Sequence, residues 1–61
     1  MLDYAKSILS KVSFDRRLFE KELTKAIALL VEHELNLLKE WCYRNFSSKY
    51  RDVLNKHFQT I

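Results

Sequence analysis

The sequence contains no glycine and no proline, whereas average usage would supply about four and three in a chain of this length. Glycine provides the backbone conformations that tight turns between strands most often need, and proline is also common where chains turn. The absence of both disfavours a small β-sheet domain. It also removes the glycine-rich loops that bind the phosphates of nucleotides. The sequence therefore predicts an all-α protein.

Cysteine and long apolar runs are also scarce. Cys42 is the only cysteine, so no intrachain disulfide can form, and a reducing, cytoplasmic location is expected. The longest apolar run, residues 26–31, is far shorter than the roughly 20 residues that cross a bilayer. Asp3, Lys6 and Lys11 interrupt the start of the chain, which therefore lacks the apolar core of a signal peptide. We expect a complete small cytoplasmic protein with no membrane association.

What the sequence does contain is a helical pattern. Apolar residues make up 48% of the 61-residue chain, too many for a disordered segment, and they recur at spacings of three and four. Short polar corners separate these stretches. The pattern predicts a single helical domain over residues 1–61. Its architecture would be a compact bundle of four short helices, at about 3–12, 15–31, 34–46 and 48–59.

Two of the predicted corners rest on capping residues. Asp15 is a favourable N-cap for the second helix. Phe14, directly before it, would pack against Phe19 as a hydrophobic staple. Ser47 or Ser48 would cap the fourth helix in the same way.

The connection between the second and third predicted helices allows two interpretations. The apolar stripe changes direction near residues 30–34, which favours a break there. The alternative merges the two helices into one that runs from Asp15 to Phe46, about 48 Å long. A globule of this size is only about 27 Å across, so a merged helix would need an oligomer to cover it. We favour the break and the compact bundle.

The Glu-His-Glu triplet at residues 32–34 is the most suggestive chemical motif. Consecutive helical residues point about 100° apart, and chelation on a helix needs pairs three or four residues apart. We interpret Glu32 and Glu34 instead as acidic residues in a first helical turn, where the helix dipole favours negative charge.

Two other side chains have catalytic or metal-binding potential. Cys42 is interpreted as a small core residue rather than a reactive thiol, and His57 as a half-buried polar tip on an apolar face. A chain this short also has little room to enclose a substrate pocket of several hundred Å³. The sequence predicts no enzyme, no catalytic or metal-binding residue, no cofactor and no small-molecule substrate.

The aromatic content points to an interaction surface. Four phenylalanines, three tyrosines and one tryptophan are more than four short helices easily bury. Surplus apolar surface rimmed by charge is typical of a protein–protein interface. We predict a small intracellular interaction module that binds a copy of itself or another protein. The predicted anchors on the third helix are Leu35, Leu38, Trp41 and Phe46.

The charge pattern supports an alternative. The chain has a net charge of +3. Arg17, Lys21 and Lys25 recur every four residues on the second helix, with Arg16 beside them. A basic face of this kind would suit nucleic acid. Two neighbouring glutamates favour a simply solvated face instead, so a nucleic-acid-binding or regulatory protein is the second hypothesis.

Overall fold

The computed structural model describes residues 1–58, which fold into helices joined by short connections. The elements in chain order are α1 (Leu2–Lys11), α2 (Arg16–Leu29) and α3 (Glu32–Phe58). The radius of gyration of the Cα atoms is 10.1 Å and the longest dimension is 26 Å. The all-α prediction is confirmed.

The prediction of a four-helix bundle is wrong, because the structure has three helices over the part of the chain that it describes. The segments predicted as 34–46 and 48–59 belong to one element, α3, and residue 59 lies outside the described residues. Ser47 and Ser48 are interior residues of α3, so neither serine caps a helix.

α3 bends at Tyr50 rather than at the serines. Tyr50 has φ −126° and ψ 30°, outside the helical range. A straight helix of 27 residues would be about 40 Å long, yet the longest dimension of the molecule is 26 Å. The Tyr43 hydroxyl donates a hydrogen bond of 2.5 Å to Asn55 Oδ1, although twelve residues of straight helix would span about 18 Å. The chain after Tyr50 therefore folds back towards the segment before it.

α2 and α3 do not merge, so the alternative of one long helix is also wrong. α2 ends at Leu29, and Leu30 has an extended backbone with φ −86° and ψ 146°. The Leu30 side chain is buried in the core. The backbone N–H of Leu35 donates to the carbonyl of Val31 at 2.8 Å, and α3 starts there. The break thus lies within the predicted interval 30–34, and burial of Leu30 accounts for it.

The corner between α1 and α2 is made without glycine. Asp15 caps α2 as predicted, because its carboxylate accepts hydrogen bonds from the backbone N–H groups of Arg17 at 2.9 Å and Leu18 at 3.2 Å. No residue among 1–58 has a positive φ angle, which agrees with the lack of glycine. The predicted staple does not form: Phe19 is buried, but the Phe14 side chain is 74% exposed.

Phe19 lies at the centre of an aromatic cluster that joins α2 to α3. Its ring stacks on Tyr50, with 4.4 Å between centroids, and meets Phe46 edge-on at 5.1 Å. The Tyr50 hydroxyl donates a 2.5 Å hydrogen bond to the carbonyl of Ser13, which links the bend of α3 to the corner before α2. The buried core is made of Ala5, Leu9, Phe19, Leu23, Ala26, Leu30, Leu38, Cys42, Tyr50, Val53, Leu54 and Phe58.

Candidate functional site

The side chains predicted as interface anchors lie in or against the core. Leu38 is fully buried, and Leu35, Trp41 and Phe46 are partly buried and pack on the buried cluster. The Trp41 ring also meets Phe46 edge-on, with 5.3 Å between centroids. In this fold the four side chains pack mainly against their own chain, and the most exposed apolar side chains lie elsewhere.

One group of exposed apolar side chains lies where the start of α1 meets the end of α2. Met1, Tyr4 and Leu29 are 65–66% exposed there. They border a groove of about 190 Å³ between the two helices, called the α1–α2 groove below. Its lining consists of Met1, Tyr4, Ala5, Ile8, Glu22, Lys25, Ala26, Leu29 and Leu30.

The α1–α2 groove follows from the helical positions of its residues. Ala26 and Leu30 face the core, whereas Leu29 is rotated by about 100° from Leu30 and therefore emerges at the side of α2. On α1, Tyr4 emerges in the same way beside the buried Ala5. On each helix, part of the apolar stripe therefore packs on the core, and the rest of the stripe is exposed to solvent.

The electrostatics of the groove favour an apolar occupant. The charged side chains in its lining, Glu22 and Lys25, pair with each other, with 3.6 Å between Lys25 Nζ and Glu22 Oε2. The remaining walls are aliphatic or aromatic. Pockets for drug-sized ligands usually measure roughly 300–1,000 Å³, which is larger than this groove. Its size suits an inserted side chain from another protein surface.

The predicted basic face is divided by ion pairs. Arg16 turns towards α3 and pairs with Asp52, while Lys25 pairs at the groove. Arg17 and Lys21 are exposed and form no ion pair with other residues in the range 1–58. The four cations therefore do not form a single continuous patch.

Cys42 is a core residue, as interpreted from the sequence. Its side chain is fully buried, and burial raises the pKa of the thiol to about 12. Nucleophilic attack and metal binding both require the thiolate. Burial therefore disfavours the thiolate of Cys42, and the side chain packs among the apolar residues of the core.

The Glu-His-Glu triplet begins α3. Glu32 and Glu34 lie in the first turn of the helix, as interpreted from the sequence, and His33 is exposed. Residues 1–58 bring no three histidine, cysteine or carboxylate side chains together as a candidate metal site. No helix in this range is both long and apolar enough to cross a membrane.

Glu20 joins α2 to the last turn of α3. Its Oε2 atom lies 2.8 Å from His57 Nε2 and 3.2 Å from Lys56 Nζ. The hydrogen bond from His57, and then that from Lys56, lower the pKa of Glu20 below its ordinary value of 4.5. The His57 side chain is mostly buried, which confirms its interpretation as a partly buried polar tip. The cluster connects two helices and is not associated with the groove.

Because the pKa of Glu20 is lower in the folded chain, its contribution to stability should depend on pH. The contribution is fully present above about pH 4.5, and it is lost as the pH falls through the lower folded pKa. We expect Glu20→Gln to lower the urea midpoint of unfolding near pH 6. The difference from the wild type should shrink as the pH falls through the lowered pKa, because Glu20 itself becomes protonated there. A difference that stays constant over this range would contradict the assignment.

The comparisons with known proteins give no relative from which a function follows: no family model, no curated protein and no solved structure matches this chain.

Proposed function

We propose that the protein is a small intracellular helical interaction module that self-associates, with two copies docked through their α1–α2 grooves. The observation that carries the proposal is the exposure of Met1, Tyr4 and Leu29 around one apolar groove. Large apolar side chains grouped in this way around a concave surface are typical of interaction sites. The proposal assigns no catalytic role to the protein.

A second copy of the chain suits the groove for three reasons. A domain of about 60 residues buries only about 60% of the surface of its unfolded chain, and association is one common way to stabilise so small a fold. A two-fold interface brings the same patch of each copy together. The rim of the groove carries one acidic and one basic side chain, Glu22 and Lys25, so the rims of the two copies offer charges of both signs to each other. A standard interface buries about 800 Å² per partner, which is about a fifth of the 4197 Å² surface.

The proposed contact is an exchange of apolar side chains. Leu29 and Tyr4 stand at the border of the groove, and in the dimer each would enter the groove of the other copy. The volume of about 190 Å³ suits this kind of insertion. The walls beneath, Ala26 and Leu30, are buried parts of the core and so provide a rigid floor. Docking would remove apolar surface from water at about 25 cal/mol per Å².

Sedimentation equilibrium over a concentration series tests the proposal. We expect the average mass of the wild type to rise towards that of a dimer. Leu29→Glu should weaken association by about tenfold or more, because it places an unpaired charge in an apolar contact.

Ala28→Glu is the matched control. Ala28 is exposed on the same helix and points about 100° away from Leu29, so this variant adds the same charge outside the groove. It should associate like the wild type. A wild type that stays monomeric throughout the series would overturn self-association, and equal weakening by both variants would overturn the location.

A further inference from the structure

The corner between α1 and α2 has a different character from the groove. Phe14 lies at its tip and is 74% exposed, more than any other large apolar side chain in the described part of the chain. Leu18, one turn further on, is 39% exposed. Phe14 lies before the first turn of α2 and Leu29 in its last turn, so these two side chains are about 20 Å apart along the helix.

Cations from three helices lie at or next to this corner. Lys11 lies in the last turn of α1, Arg17 lies in the first turn of α2, and both are exposed. Lys49 of α3 reaches the corner, where its Nζ donates a 2.8 Å hydrogen bond to the carbonyl of Ser13. Phe14 is thus three residues from both Lys11 and Arg17, and Lys49 binds the residue directly before it. These four residues, Lys11, Phe14, Arg17 and Lys49, are called the basic corner.

The acidic residues near the basic corner are already engaged. The Asp15 carboxylate accepts two backbone N–H groups of α2. Asp52 pairs with Arg16, which holds the pKa of Asp52 below its ordinary value. With Arg16 counted, four cations and two carboxylates leave this end of the molecule with an excess of positive charge. An anionic partner is therefore complementary to it.

We infer that the basic corner binds single-stranded nucleic acid, with a base stacked on the Phe14 ring and phosphates beside Lys11, Arg17 and Lys49. Proteins that bind single strands combine an aromatic platform with cations that follow the backbone. Both parts are present here within a few residues. This function is additional to self-association and uses the opposite end of α2.

A single strand fits better than a duplex or a membrane. In a duplex the bases are stacked on one another, so the Phe14 ring has no base face to contact. Segments that bind membrane surfaces place a broad apolar face next to their cations. Here the broad apolar surface, around Tyr4 and Leu29, lies at the far end from the basic corner. Phe14 and the partly exposed Leu18 alone accompany the cations within residues 1–58.

Fluorescence anisotropy with short labelled oligo(dT) and oligo(U) of equal length, at low salt, tests the stacking contact. We expect the wild type to bind and Phe14→Ala to weaken binding about tenfold, the usual effect of removing one stacked base. Phe14→Trp should retain binding because it keeps an aromatic face. Leu37→Ala is the control: it removes an exposed apolar side chain of α3 outside both the groove and the basic corner, and it should leave binding unchanged. Equal binding of both oligonucleotides supports recognition by stacking, and binding of oligo(U) alone adds a contact with the 2′-hydroxyl.

A charge exchange tests the phosphate contacts. Lys11→Glu/Arg17→Glu should abolish measurable binding, whereas Lys11→Gln/Arg17→Gln should lower the salt slope by about 1.4, since each phosphate contact contributes roughly 0.7 in single strands. Lys39→Glu/Arg44→Glu changes the net charge equally on an exposed face of α3 and should bind like the wild type.

Three results would overturn the inference. One is the absence of binding to either oligonucleotide at low salt. Another is equal loss of binding in Lys11→Glu/Arg17→Glu and Lys39→Glu/Arg44→Glu, which would indicate attraction by net charge alone. The third is binding to vesicles that contain anionic phospholipid without binding to oligonucleotides. Self-association is measured without nucleic acid, so failure of the two proposals can be told apart.

Discussion

Phe19→Ala is expected to lower the free energy of unfolding by about 3–5 kcal/mol, the range for removing a buried phenylalanine ring. Phe19 is fully buried, and its ring contacts both Phe46 and Tyr50. A 61-residue domain has a total stability of roughly 3–9 kcal/mol. The variant should therefore lose a large part of this stability and unfold at a much lower urea concentration than the wild type. Urea unfolding followed by circular dichroism measures the change.

Leu18→Ala is the control for this variant. It lies on the same helix next to Phe19, but its side chain is 39% exposed, so its loss should lower stability by less than about 1 kcal/mol. If Phe19→Ala were no less stable than Leu18→Ala, the aromatic cluster would not be the centre of the core.

Tyr50→Ala should have an effect of similar size, about 3–5 kcal/mol, because it removes a second buried ring from the same cluster. Tyr50→Phe keeps the ring stacked on Phe19 and removes only the hydroxyl. We expect it to lower stability by about 1 kcal/mol, since the Ser13 carbonyl still accepts a hydrogen bond from Lys49. Urea unfolding of both variants beside the wild type measures the two contributions.

The comparison of the two Tyr50 variants also tests the bend of α3. If packing of the ring fixes the bend, Tyr50→Phe should retain the contact between Tyr43 and Asn55, visible as an unchanged environment of Asn55 in NMR spectra. An effect of Tyr50→Phe as large as that of Tyr50→Ala would contradict this role and assign the bend to the hydroxyl instead.

The sequence predicted those features of the fold that depend on local chemistry. The recurrence of apolar residues at three and four predicts helices, and the structure has them. The capping of α2 by Asp15 and the acidic residues in the first turn of α3 follow from groups within a few residues of each helix end, although α3 begins at Glu32 and not at the predicted residue 34. The break before α3 was visible as a change in the direction of the apolar stripe.

The bend of α3 depends on contacts that are distant in the sequence. Ser47 and Ser48 carry the local signal for a helix start, yet the helix continues through them. It bends at Tyr50, whose ring and hydroxyl contact Phe19 and Ser13, the latter 37 residues away. A capping preference of about 1 kcal/mol is smaller than the free energy gained by burying an aromatic ring. Tertiary packing therefore decides where α3 bends.

The location of the exposed apolar surface was missed for the same reason. Leu38 and Trp41 lie on an apolar stripe that looked available, but the folded chain packs that stripe inside or against the core. The position of Leu29 could have indicated this exposed surface, because Leu29 widens the apolar stripe of α2 beyond what a single neighbouring helix covers. The position of Tyr4 gave no such indication, because the exposure of its side chain depends on how α1 lies against α2.

The central claim is that the α1–α2 groove is the self-association surface, and a concentration series of amide NMR spectra tests it most directly. With increasing protein concentration, we expect shifts for the amides of residues that line the groove, Tyr4 and Leu29 among them, while the amide of Phe14 at the basic corner stays constant. Spectra that do not change with concentration, or shifts confined to surfaces away from the groove, would contradict it.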